Sequence, residues 1–131
     1  MLKKFSLQTG HEGFYDITAS VESFLSESKI ESGICLVYCP HTTAAITINE
    51  NADPDVQSDM LYGLNQIMPH NPNYRHYEGN TPAHLKSSVI GCSELLIIQQ
   101  NRLVRGTWQG IYFAEFDGPR SRFYYVKLIG D

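Results

Sequence analysis

Residues Ile34 to Pro54 read ICLVYCPHTTAAITINENADP, and the fold turns on this stretch. Ile34 to Cys39 is a short apolar run, the pattern of a buried strand. Pro40 breaks it. Ala44 to Asn49 is rich in β-branched residues and predicts a second strand. Asp53-Pro54 then opens a helix, because Asp caps a helix and Pro suits its first position. Between strands and helix the chain concentrates His41, Thr42, Thr43, Asn49, Glu50, Asn51 and Asp53. A connecting loop does not need that inventory.

Working outward, Lys3 to Thr9 alternates like a strand. Asp16 to Ser28 carries Ile17, Val21, Phe24 and Leu25 at helical spacing, with Asp16 or Thr18 as cap. Glu31-Ser32-Gly33 reads as a turn. Val56, Met60, Leu61, Leu64, Ile67 and Met68 give the second helix an apolar face. Pro69 to Asn80 is a polar loop, and Thr81-Pro82 starts a third helix that ends at Gly91. Glu94 to Gln100 predicts a strand, followed by a turn at Asn101-Arg102. Trp108 to Phe116 and Arg122 to Ile129 alternate, and Asp117-Gly118-Pro119-Arg120 between them predicts a hairpin. The order βαββααβββ implies one α+β domain over 1–131, a mainly antiparallel sheet packed with about three helices. Tyr112, Phe113, Phe116, Phe123, Tyr124 and Tyr125 are more rings than one small core takes, so some are expected at a subunit interface.

Composition bounds the function. The chain has 131 residues, 42% hydrophobic and 18% charged, as in a globular domain. A net charge of -4 argues against nonspecific nucleic-acid binding. No apolar run is long enough for a bilayer, and the N-terminal residues lack a signal-peptide core, so no membrane is expected. Of three cysteines, Cys35 and Cys39 share one strand, about 13 Å apart and beyond disulfide reach. Buried free thiols suit a reducing compartment, so the cytoplasm is expected.

Five histidines stand at 11, 41, 70, 76 and 84. His41 leaves a strand, His76 lies in the polar loop and His84 falls in the first turn of a helix. Three such positions can converge, and three histidines suit zinc or another transition metal; the alternative is three surface histidines. Thr42 and Thr43 offer hydroxyls and turn amides to an anion. Glu50, beside Asn49 and Asn51, is a candidate acid/base or ligand. Trp108, after Gly106-Thr107, stacks on a flat ring or fills the core. Arg120 and Arg122 are solvated or form a phosphate clamp. Walker, GxSxG and GxGxxG motifs are absent, so kinase, serine-hydrolase and dinucleotide chemistries have no support.

Three motifs in order resemble the secondary thiamine-phosphate synthase family over nearly the whole chain. They are His41-Thr42-Thr43-Ala44-Ala45 running into Thr47-Ile48-Asn49-Glu50-Asn51; His76-x-Glu78-Gly79-Asn80 leading to Ala83-His84-Leu85-Lys86; and Gly106-Thr107-Trp108-Gln109-Gly110-Ile111, with Asp117-Gly118-Pro119-Arg120 before Arg122. Asn101 departs from the family's usual Gly, and Asn tolerates the left-handed turn a Gly would serve. The resemblance implies an α+β homotrimer and a divalent metal, Zn or Mg, held by His41, His76 and His84. It implies that hydroxymethylpyrimidine diphosphate is joined to thiazole phosphate with loss of pyrophosphate. In that reading Lys86, Arg120, Arg122 and the threonines meet the diphosphate, Trp108 stacks on the pyrimidine, and Glu50 or Gln109 meets its amino group. Two other expectations stand beside it. One is a metal-dependent hydrolase of a small phosphorylated molecule, with Glu50 activating water. The other is a noncatalytic trimer that binds a metal or anion.

Overall fold

In the computed structural model, which describes residues 1–131, the stretch from Ile34 to Pro54 becomes β3 (Ser32–Tyr38), a sharp turn, β4 (Ala44–Glu50) and α2 (Pro54–Ile67). Ahead of it lie β1 (Leu2–Gln8), β2 (Gly13–Asp16) and α1 (Thr18–Ser28). After it come α3 (Thr81–Ile90), β5 (Ser93–Gln99), β6 (Arg102–Leu103), β7 (Gln109–Glu115) and β8 (Ser121–Gly130). β3 and β4 do not pair. β3 belongs to a five-stranded sheet ordered β1-β8-β3-β5-β6, and β4 to a three-stranded sheet ordered β2-β7-β4. Every ladder is antiparallel, so the chain is the α+β domain expected.

The two sheets enclose the main core. Cys35, Val37, Leu96, Ile98, Tyr124, Val126 and Leu128 face inward from the larger sheet, and Ala44, Ile46, Ile111 and Phe113 from the smaller. α1 closes the side with Ile17, Val21, Phe24 and Leu25, the four residues its spacing predicts. The other face of the small sheet carries Ala45, Ala114 and Phe116 against Ala83 of α3, with Leu64 of α2 and Ile90 at the margin. β7 is central and covered on both sides, which is why Ile111 to Phe116 is buried without a break.

The last two long strands correct the hairpin expectation. β7 pairs with β2 and β4, whereas β8 pairs with β1 and β3. Residues 116–120 carry the chain from one sheet to the other, as Pro40 to Thr43 does between β3 and β4. Gly118 packs so closely there that an added Cβ would sit 1.8 Å from the Gly10 carbonyl oxygen. Ser32 and Gly33 belong to β3 rather than to a turn, and β2 and β6 are strands the pattern does not announce. The Asn101 turn survives as expected, with Gln100 and Asn101 at φ 53° and 57°. Of the six rings expected to overfill one core, Tyr112, Phe113, Phe116 and Tyr124 are buried, and Phe123 and Tyr125 are half-buried. The reverse holds for α2, which buries no residue despite its apolar face. Cys92 is exposed, unlike Cys35 and Cys39. No helix is long and apolar enough to cross a membrane.

Two glycine substitutions check this packing by thermal or urea melts. Gly118→Ala is expected to lose about 1–3 kcal/mol, because the crossing must open. Gly63→Ala in α2, where nothing lies within 4 Å of the new carbon, is expected to gain about 0.8–1 kcal/mol from helix propensity. Equal effects would contradict the close crossing.

Candidate functional site

The two sheet-crossing corners lie side by side, and the site forms where they touch. Thr43 closes the first corner. Its carbonyl accepts from Phe116 N at 3.2 Å and its hydroxyl from Arg122 Nη2 at 2.8 Å. Arg122 stands near the start of β8 and is 6% exposed. Its Nε and Nη2 donate to the Glu115 carboxylate at 2.7 and 2.6 Å, a bidentate fork. Glu115 ends β7 and is fully buried. It also accepts from the Thr9 hydroxyl at 2.6 Å and Asp117 N at 3.0 Å. Burial alone would push this carboxyl up; the bonds from Arg122, Thr9 and Asp117 outweigh it and hold the group below the usual carboxylate range.

Above this pair opens a cavity of about 370 Å³ with no hydrophobic residue in its lining. His41, Thr42, Thr43, His76, His84, Arg120 and Arg122 all line it, together with Pro40, Glu78 and Asn80. Seven expected site residues therefore meet. Arg122 makes no hydrogen bond through Nη1, which leaves one donor of a fixed guanidinium for a ligand. His41 has Nε2 at 3.0 Å from Phe123 O and 3.1 Å from Phe123 N. Burial, and then the Arg122 charge, push its pKa below the ordinary histidine value, so the ring stays neutral near pH 7. His76 and His84 meet edge to face with ring centres 5.2 Å apart. His84 sits in the first turn of α3, where the helix dipole favours negative charge.

The rim is a closed network. Asn80 Nδ2 donates to Glu78 at 2.9 Å and to Asp117 at 2.7 Å. Arg120 Nη2 reaches the same two carboxylates at 3.5 and 2.9 Å. Asn80 Oδ1 is a buried acceptor with no partner. Three carboxylates, Glu78, Asp117 and Glu115, thus face two guanidiniums, Arg120 and Arg122, an acid surplus of one among these five groups.

No three His, Cys, Asp or Glu side chains stand close enough to share one metal ion. The expected ligands divide: His76 and His84 adjoin each other, while His41 is tied to Phe123. A free-standing three-histidine centre does not fit the side chains as they stand. An ion that drew part of its coordination from ligand oxygens would fit the acid surplus and the orphaned Asn80 Oδ1, as magnesium commonly binds with phosphates.

Five expected residues lie elsewhere. Asn49 and Glu50 end β4, about 20 Å from the cavity at strand rise. Glu50 accepts from Asp53 N at 3.2 Å and so serves the turn into α2. Gln109 pairs with Glu50 across the ladder and caps Gly106 N at 2.7 Å. Trp108 is 63% exposed at that same far end, neither in the core nor in the cavity. Lys86 is buried, bonded to Asn65 and 3.7 Å from Glu12, so it joins α3 to α2 instead of facing a substrate. The residues missed are Glu115, Asp117, Glu78 and Asn80. A lone carboxylate within Tyr112-Phe113-Ala114-Glu115-Phe116 was the available signal for the first. A larger cavity, about 660 Å³, lies beside α1. Three of its polar side chains are spent on the fold: Arg105 binds Glu22 at 2.7 Å, and Asn101 donates to the Leu25 and Ile30 carbonyls.

The chain belongs to the UPF0047 protein YjbQ-like family, whose model matches residues 3–131. It is 54% identical to UPF0047 protein MJ1081 of Methanocaldococcus jannaschii over 132 aligned positions, covering 100% of this chain and 96% of that protein. It is 54% identical to UPF0047 protein YugU of Bacillus subtilis, covering 99% and 100%. A crystal structure of a YjbQ/UPF0047 family protein from Clostridium acetobutylicum superposes with a TM-score of 0.94 at 51% identity, over 97% of this chain and 99% of that one. These names state no reaction, so the activity rests on the chemistry of the cavity.

The buried pair has a measurable weight. Glu115→Gln strands the Arg122 charge and is expected to cost about 3–5 kcal/mol by urea unfolding, while Glu115→Met with Arg122→Met restores most of it. Both His41 and Glu115 titrate below their ordinary values of 6.5 and 4.5 in the folded chain. The unfolded chain therefore takes up protons first. Stability is expected to fall as pH drops below 6.5 through His41, and again below 4.5 through Glu115. A flat profile between pH 7 and 4 would contradict both.

Proposed function

We propose that this YjbQ-like chain is a transferase that joins hydroxymethylpyrimidine diphosphate to thiazole phosphate and releases pyrophosphate. The observation that carries the reading is the fixed Arg122 guanidinium, which presents Nη1 to a cavity without one apolar wall. The thiazole nitrogen attacks the methylene carbon of the pyrimidine. A C–N bond forms, the C–O bond to diphosphate breaks, and the electron pair leaves with the diphosphate. Arg122 Nη1, the Thr42 hydroxyl and the first turn of α3 meet that charge. Arg120 is held by Asp117 and Glu78 at the exposed rim. Such exposed pairs are weak, so a diphosphate competes for it. Glu50, Trp108, Gln109 and Lys86 take no part from within this chain.

A divalent cation is a second proposal, favoured by the acid surplus and the adjoining His76 and His84. Bound beside the diphosphate, it would neutralise charge on the departing group. Homotrimeric assembly is a third. Ile34, Tyr38, Leu95, Ile97 and Ile129 stand 40–63% exposed in rows across the outer face of the larger sheet, and a second copy would cover them.

Purified protein with both substrates and magnesium is expected to form thiamine phosphate. Arg120→Ala is expected to lower kcat/KM about 100-fold and His84→Ala at least as much. No product, or equal product from all three proteins, would remove the reading. Sedimentation giving a monomer at micromolar concentration would remove the trimer.

A further inference from the structure

The polar cavity has a neighbour. A second, shallower cavity of about 360 Å³ is lined by His41, Thr42, Ser87, Ser88, Gly91 and Cys92. His41 and Thr42 belong to both, so they form the wall between the two. The contrast in charge is sharp. Two arginines, two further histidines and Glu78 line the first, and no Arg, Lys, Asp or Glu lines the second.

α3 spans the pair. Its first turn brings His84 to the first cavity, and its last turn brings Ser87 and Ser88 to the second. A helix carries about half a positive charge at its N-terminus and half a negative one at its C-terminus. One helix therefore favours an anion on one side of the His41–Thr42 wall and a cation on the other. The last turn is held still: Ser87 donates to the Ala44 carbonyl at 2.7 Å, and Ile46 N donates to Gly91 O at 3.1 Å. The Ser88 hydroxyl and the Cys92 thiol are exposed and make no hydrogen bond within the chain.

We propose that the second cavity is the acceptor subsite, and that it takes the ring of an uncharged nitrogen heteroaromatic that becomes a quaternary cation on transfer. This rests on the transferase reading above. In that reaction the diphosphate gains the electron pair of the broken C–O bond, and the ring nitrogen gains the positive charge of the new C–N bond. The two cavities receive those opposite charges on opposite sides of His41 and Thr42. No Arg or Lys in the second cavity meets a phosphate, so the acceptor is recognised by its ring and its phosphate tail lies outside.

Cys92 reports occupancy without turnover. Cys35 and Cys39 are buried, with thiols pushed up to about 11 by burial, so iodoacetamide labels Cys92 first. Hydroxyethylthiazole, without its phosphate, is expected to slow that labelling about tenfold at saturation, and the N-methylthiazolium cation to do so at lower concentration. Pyrophosphate is expected to leave the rate within about twofold. In calorimetric titrations, Ser88→Trp, which fills the cavity from an exposed position, is expected to weaken hydroxyethylthiazole at least about tenfold and leave pyrophosphate affinity unchanged. Failure of both thiazoles to protect Cys92, or equal protection by pyrophosphate, overturns the subsite. Protection without thiamine phosphate formation leaves the subsite standing and removes the transferase. Thiamine phosphate formation without protection does the reverse.

Discussion

The Glu115–Arg122 pair is the constraint on which the site depends. Glu115 ends a strand of the small sheet and Arg122 begins a strand of the large one. Their bidentate contact closes the crossing between the sheets, and Thr9 and Thr43 are drawn in by the same two side chains. A fully buried ion pair is a poor source of net stability, since desolvation consumes most of its Coulombic gain. Its effect here is positional. With Nε and Nη2 committed to the fold, Arg122 lines the cavity with its remaining nitrogen unbonded.

The rim works differently from the floor. Arg120, Glu78, Asp117 and Asn80 tie the loop after α2 to the second corner through groups that remain largely in water. Exposed pairs exchange easily with a charged ligand, whereas the buried pair beneath does not. The cavity therefore joins a rigid base to an adjustable edge. His41 stays neutral at the base because it is buried beside a guanidinium, so it contributes polarity there without adding charge.

Much of this was legible in the residues. Asp53-Pro54 and Thr81-Pro82 marked two helix starts within a residue, since cap and proline chemistry are local. The helical spacing of Val21, Phe24 and Leu25 named the core face of α1. His41, His76 and His84 do line one cavity, since a strand exit, a loop and a helix start can converge, but they do not stand as one ligand set. What failed was partnership. The turn chemistry of Asp117 to Arg120 reads the same whether the following strand folds back on β7 or passes to another sheet. Glu50 and Trp108 were singled out by residue type and local context, and neither carries the length of the strand that separates them from the cavity. The apolar stripe of α2 is present in the sequence, but a stripe shows that a helix has something to cover, not that its own chain covers it.

The strand order β1-β8-β3-β5-β6 has a consequence for how the chain comes into being. β8 lies between β1 and β3, yet it follows both in the chain by more than 80 residues. Until it emerges, β1 has no neighbour in its sheet, one edge of β3 is open, and Arg122 and the Phe123 backbone are missing from the site. A vectorially synthesised chain thus holds those strand edges exposed until β8 emerges, the condition under which nascent chains aggregate or recruit chaperones. The polar cavity, which needs Arg122 of β8 for its lining, therefore takes shape only after β8 has joined the larger sheet.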